Sequence, residues 1–233
     1  MISLVRLRVA SFAVGLLVLS LPAALAADKE PARVVVDKEK RTVTIDAKIA
    51  PRKIDDPRYK EIYPIEVVAC WPFPKGLKAH ETVVTIEAKP SEVHKGLVDL
   101  GLKPGKPVVG DVKDEPEGPV VNIYLEFPGP DGEPKRVPIE KTMIDPKGKN
   151  LPKMQWRFTG SVMSQPDPNK SEEVYGADLT GTLIAIFPVT NQTVFQTNFT
   201  MKEEKYVKLE TDKKLLPKEG ADVKLILEVP EKK

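Results

Sequence analysis

Residues Ile65–Val108 read IEVVACWPFPKGLKAHETVVTIEAKPSEVHKGLVDLGLKPGKPV. The stretch divides into strand, loop, strand and helix. Ile65–Cys70 follows Pro64 and is almost wholly apolar, which predicts a buried strand. Thr82–Ala88 (TVVTIEA) is rich in β-branched residues and predicts a second. Pro90 then stands where a first-turn proline costs no hydrogen bond. Val93, Leu97 and Leu100 fall at i, i+4 and i+7, a single apolar stripe. Gly101 suits the left-handed residue that ends a helix, Leu102 can fold back onto the last turn, and Pro104 stops continuation.

Outside this segment the periodicity is that of strands. In Arg41–Ile49 (RTVTIDAKI), Val43, Ile45, Ala47 and Ile49 share one face. Val120–Phe127 and Arg136–Ile139 flank Pro-Gly-Pro-Asp-Gly, where Asp131-Gly132 suits the positive φ of a tight hairpin turn. Met154–Phe158, Gly181–Phe187 and Asp222–Val229 are further strand candidates, with weaker signals at Gln192–Met201 and Tyr206–Leu209. The 23 prolines lie between the apolar runs and punctuate loops. The predicted fold is α+β: a mostly antiparallel sheet of about eight strands with one helix near residues 90–101 packed on a face.

The N-terminus has the layout of an export signal. Arg6 and Arg8 precede the uncharged run Val9–Leu21, Pro22 breaks it, and Ala24-Leu25-Ala26 supplies small residues for cleavage after Ala26. The run is shorter than the roughly 20 residues a bilayer span needs. The predicted organisation is a signal peptide over 1–26, N-terminal strands over 27–60, a central domain over 61–188, and a C-terminal β extension of the same domain over 189–233. The expected location is periplasmic or secreted, with no membrane span after cleavage.

Composition narrows the chemistry. The chain has 36 basic and 34 acidic residues, so loss of Arg6 and Arg8 leaves equal numbers, and a polyanion such as nucleic acid has no electrostatic hold on it. One cysteine closes no internal disulfide and two histidines build no three-histidine metal centre. Nucleophile elbow, phosphate-binding glycine loop, dinucleotide fingerprint, His-Glu-x-x-His and Cys-x-x-Cys are all missing from the sequence.

Several segments together resemble the YdjY-domain family of bacterial exported proteins. They are the cysteine closing a strand, His80-Glu81 opening the next, Lys89-Pro90-Ser91 with His94, and Gly101-Leu102-Lys103-Pro104-Gly105. Trp156–Ser161 (WRFTGS), Tyr175-Gly176-Ala177-Asp178 and Gly181–Ala185 (GTLIA) extend the likeness, which spans about Glu61–Pro188. The tail, with Leu216-Pro217-Lys218-Glu219-Gly220, is similar to extensions in secreted members from planctomycete-like bacteria. The resemblance brings no assigned catalytic residues. Some members carry a ferredoxin-type label, but no iron–sulfur cluster is expected here, because Cys70 alone cannot ligate one.

Three sets of residues are candidates for chemistry. Cys70, His80, Glu81 and His94 form a soft thiolate, two imidazoles and a carboxylate, the donor types of a zinc, copper or redox site. Their spacing matches no standard zinc motif, and the alternative is a buried cysteine, a solvent-facing His80 at a strand entry and a helix His94 satisfied by a backbone carbonyl. Cys70 paired with either histidine would be a nucleophile only if base and thiol touch. Asp167, Asn169, Ser171, Glu173 and Asp178 put oxygen donors at alternating positions like a calcium loop, yet Glu172 stands where that loop needs glycine. Trp71 and Phe73, on a proline-stiffened loop, would make a stacking platform if exposed and coplanar. The leading expectation is a non-enzymatic binding or structural domain that meets another envelope protein. Its rival is a small metal-binding or redox-sensing domain built on Cys70, His80, Glu81 and His94.

Overall fold

The structure, a computed structural model, describes residues 34–231; the predicted signal peptide lies outside the described residues. In chain order the first elements are β1 (Val34–Asp37), β2 (Thr42–Ile49), β3 (Val67–Cys70), β4 (Thr82–Ile86), α1 (Pro90–Asp99), β5 (Asn122–Pro128), β6 (Pro134–Pro138) and β7 (Met143–Ile144). There follow β8 (Arg157–Phe158), β9 (Met163–Ser164), β10 (Val174–Tyr175), α2 (Ala177–Thr180), β11 (Thr182–Ala185), β12 (Phe195–Gln196), α3 (Met201–Tyr206), β13 (Glu210–Thr211) and β14 (Asp222–Glu228). Among the described residues no helix is long and apolar enough to cross a membrane.

Ten strands form one sheet in the order β6-β5-β14-β2-β4-β3-β11-β12-β8, with β1 added to β2. The last strand, β14, lies inside it, antiparallel to β2 on one side and to β5 on the other. β2 alternates as its sequence predicts: Val43, Ile45, Ala47 and Ile49 are buried, while Thr44, Asp46 and Lys48 face outward. The β5–β6 hairpin forms where predicted, and Gly132 takes φ +84° in its turn.

The sheet is mixed: seven of its nine strand pairings are antiparallel and two are parallel. β3 runs parallel to β4, and β11 parallel to β12. The crossover between β3 and β4, residues 71–81, is short for parallel neighbours and holds the 3₁₀ turn Ala79–Glu81 in place of an α-helix. The element count also exceeds the expectation of eight strands and one helix: fourteen strands, six of only two residues, stand with three α-helices among the described residues. Two-residue pairings are too short to leave a periodic signal, and α2 and α3 are each under two turns.

α1 is the predicted helix, and its stripe Val93, Leu97 and Leu100 is buried. It seats on β1 and β2 through Gly96, where a Cβ would come within 3.0 Å of Val36 and 3.4 Å of Val43. The main core continues through Phe158, Phe187, Phe195 and Trp156. A smaller cluster of Ile54, Val67, Cys70, Ala79 and Ala185 packs beneath Tyr59 and Phe73. β3, β4 and β11 have no solvent-facing residue at all.

Gly181 joins these layers. It ends α2 at φ +70°, donates its N–H to Ala177 (2.8 Å) and accepts from Trp71 N (2.9 Å). A Cβ there would lie 2.6 Å from the Trp71 ring. Gly181→Ala therefore combines left-handed strain with an indole clash, and denaturant unfolding should show a loss of about 2–4 kcal/mol. Gly220→Ala, which takes the same sign of φ (+81°) with nothing within 4 Å of the new Cβ, should lose only the strain part, about 1–2 kcal/mol.

Candidate functional site

The predicted chemical residues fall into two separate clusters. The first caps the far end of β3. Cys70 is fully buried, and its thiol faces the Trp71 carbonyl at 3.2 Å. Burial pushes the Cys70 thiol up to about 12, so at neutral pH it is a protonated, sealed group and not a thiolate. Above it Lys78 Nζ bridges Glu66 Oε2 (2.6 Å) and Glu81 Oε2 (2.7 Å). Burial, with help from the nearby Glu81 charge, raises the proton affinity of Glu66 against the pull of Lys78. Burial would lower that of Lys78, but its two carboxylate partners outweigh it.

His80 lies beside this triad, its Nε2 3.4 Å from Glu81 Oε1 and its ring 4.3 Å from Tyr59 and 5.2 Å from Tyr63. The wall is closed by Arg52, which is 3% exposed. Its guanidinium meets Glu210 Oε1 (2.7 Å), the His80 carbonyl (3.2 Å) and the Tyr63 carbonyl. Burial would raise the pKa of Glu210, but Arg52 and the Thr211 N–H outweigh it and hold the carboxyl below its ordinary range. Arg52 thus staples residues 50–63, the 3₁₀ turn and β13 over the smaller core. Sequence inspection missed Arg52, Lys78 and Glu210, because an arginine in a charged loop looks like any other surface cation.

The second cluster lies against α1. His94 packs edge-on to Phe158 at 5.1 Å, and its Nδ1 is 2.6 Å from the Tyr175 hydroxyl. The same Tyr175 oxygen accepts the Ser161 N–H (3.1 Å), and Ser161 Oγ accepts the Ala177 N–H (2.9 Å). Asp178 turns back to the start of α1, where Oδ1 accepts the Ser91 N–H (2.9 Å) and Oδ2 the Ser91 hydroxyl (2.6 Å). Lys89, the N-cap residue, has no acceptor to offer, so a carboxylate from another element caps the helix. The sequence segments Lys89–His94, Trp156–Ser161 and Tyr175–Asp178 therefore meet in one place.

The donors proposed for a shared metal site are divided by this arrangement. Cys70, His80 and Glu81 border the first cluster, while His94 faces the main core and is taken up by Tyr175. Among the described residues no three His, Cys, Asp or Glu side chains are placed to hold a metal ion. Of the calcium-loop candidates, Asp178 is committed to Ser91, and Asp167 Oδ1 accepts from the Asn169 N–H (3.0 Å). Ser171 and Glu173 are exposed on the loop between β9 and β10. The two loop aromatics part company as well. Trp71 donates Nε1–H to the Ala88 carbonyl (2.9 Å) and packs on the main core. Phe73 meets Tyr59 edge-on at 6.0 Å, with the Arg58 guanidinium 5.4 Å above its ring. One surface cleft, of about 290 Å³, adjoins the first cluster at Arg52 and Thr211; others lie apart from both clusters, one of about 400 Å³ beside Asp46, Glu126 and Lys224 and one of about 710 Å³ along Glu140–Met154.

Two measurements test this account. Asp178→Ala removes the cap of α1 and leaves Ser91 unpaired, so unfolding free energy should fall by about 1–2 kcal/mol, with Asp178→Asn losing less. Both histidines have proton affinities lowered, His94 by burial alone and His80 by burial and then by Lys78 and Arg52 against the pull of Glu66. The unfolded chain then binds more protons below about pH 6.5 than the folded one. Stability is therefore full above that pH and declines as pH falls through it; denaturant midpoints flat between about pH 7.5 and 5.5 would contradict this.

No curated protein and no solved structure matches the chain. The YdjY domain matches residues 34–228, from the first strand of the sheet to the last, and the chain belongs to the YdjY domain family.

Proposed function

We propose that this protein is a non-enzymatic binding or structural domain of the bacterial cell envelope, exported by its N-terminal segment. The observation that carries the reading is how the reactive side chains are used. Cys70 is sealed and protonated, Arg52 and Glu210 pin a loop, Asp178 caps a helix, and His94 shares its nitrogen with Tyr175. A catalytic centre needs a nucleophile, a base in contact and a reacting position beside both. Here the groups that would fill those roles hold the fold together. The export part rests on Arg6, Arg8, the apolar run Val9–Leu21 and the Ala24-Leu25-Ala26 cleavage signal.

The test is a native mass spectrum of the full chain expressed in an exporting host and purified without chelator. The expected species is a bare chain beginning at Ala27. Retention of Met1 would overturn the reading of a signal peptide cleaved after Ala26. One metal ion per chain, lost in His80→Ala or His94→Ala, would overturn the non-metal reading in favour of the Cys70, His80, Glu81 and His94 site.

A further inference from the structure

The β9–β10 hairpin is held to the domain by few bonds. Its ladder has two residue pairs, Ser164 with Val174 and Met163 with Tyr175. Two-stranded ribbons of this length do not stand alone in water. The Gly176 N–H to the Val162 carbonyl (2.8 Å) extends this ladder, and the contacts that attach the hairpin to the domain are the Val162 N–H to the Asn191 carbonyl (3.5 Å), Gln192 Nε2 to Ser164 Oγ (2.9 Å), and Tyr175 to α1 through His94. The Tyr175 hydroxyl is the knot, because its oxygen accepts from Ser161 N–H while it lies within bonding distance of His94 Nδ1.

The direction of the bond follows from the donors available. The Tyr175 oxygen already accepts an N–H, and neutral His94 with its proton on Nε2 offers Nδ1 as an acceptor, so the O–H donates to Nδ1. Protonation of His94 makes Nδ1 a donor as well. The Tyr175 oxygen must then accept two N–H groups, and its own O–H, in a half-buried place, is left without an acceptor. The alternative, loss of the phenol proton, is closed, because burial holds Tyr175 up at about 12. No charge relieves the imidazolium. Against the His94 ring stand Phe158, Tyr175 and Gly160, and the carboxylate on α2, Asp178, is bound to Ser91.

We propose that His94 and Tyr175 form a proton-operated clasp: with His94 neutral the β9–β10 hairpin is locked onto α1, and protonation of His94 releases it together with its exposed Gln165–Glu173 loop. Burial lowers the proton affinity of His94, so the released state is the one favoured by acid. The hairpin, with few buried apolar groups, opens before the ten-stranded sheet does.

Amide hydrogen exchange on the full chain, followed by NMR between about pH 5 and 8 and corrected for intrinsic chemistry, tests the clasp. Protection at the Ser161 and Gly176 amides should fall by up to about tenfold per pH unit between about pH 6.5 and the lowered His94 midpoint, read independently from its ring Cε1–H shift, and level off below that midpoint. Amides of β2 and β14 should not follow. His94→Gln should remove the pH step, and Tyr175→Phe should lower protection at every pH and remove the step too. His80→Gln should keep it. A flat profile in the natural sequence, a midpoint that does not track His94, or a step that survives His94→Gln would each overturn the proposal.

Discussion

Three neighbouring strands, β4, β3 and β11, bury every residue they contain, and the rest of the architecture answers to that. A strand buried on both sides needs cover on both sides of its sheet. On one side the cover is the main core, with α1, α2 and the aromatic group around Phe158 and Phe187. On the other it is an irregular wall built from residues 50–63 and 71–81, which brings only a few apolar side chains: Ile54, Tyr59, Phe73 and Ala79. A wall with so little apolar area needs polar fastening, and Arg52 and the Glu66–Lys78–Glu81 triad supply it. The sealed thiol of Cys70 is a consequence. It sits where the wall meets the sheet, so the feature that makes it look reactive in sequence, a cysteine ending an apolar strand, is what removes it from solvent.

Local signals were readable wherever a residue's role is set by near neighbours. The alternation of β2, the stripe and glycine stop of α1, and the Asp131-Gly132 turn all depend on spacing within a few residues, and each appears where expected. Sheet order depends on pairings between distant segments. Ile65–Cys70 and Thr82–Ala88 look alike whether they lie parallel or antiparallel, and nothing in their periodicity announces the short crossover. One miss carried a legible signal. Thr200 and Glu203 form a reciprocal cap at the start of α3, the Thr-x-x-Glu pattern of a helix beginning, where the weak strand signals of Gln192–Met201 and Tyr206–Leu209 leave a gap.

The second cluster shows the same limit at the level of a site. His94 and Asp178 drew notice as possible metal ligands, because residue type is visible and contact is not. Tyr175, Ser161 and Ser91 stood in the family-like segments without a reason of their own. The fold supplies it. A lysine at the N-cap of α1 leaves backbone N–H groups without an acceptor, and α2 brings a carboxylate from 87 positions away. Glu92 turns back to the Lys89 N–H, but the Ser91 N–H finds its acceptor in Asp178, which explains why an aspartate at the head of another short helix is needed. The neighbouring tyrosine reaches the same helix one turn later.

The outer face of β2, β14, β5 and β6 has no cover and meets the opposite requirement. Asp46, Lys224, Glu126 and Arg136 stand in register across the four strands, alternating in sign. Lys48 pairs with Asp222, and Arg136 reaches Glu228 at 2.8 Å while lying 4.0 Å over the Tyr124 ring. Opposite charges one strand apart, about 4.8 Å, cancel within the roughly 8–10 Å over which salt screens a field. Such a face stays soluble without projecting a long-range potential. The sheet edge beside it is closed to further pairing, since Pro134 and Pro138 remove donors from β6 and Lys135 and Arg136 place charge between them. Anything that recognises this domain through that face must do so by fit at contact distance, because neither net charge nor an open strand edge is there to draw it in.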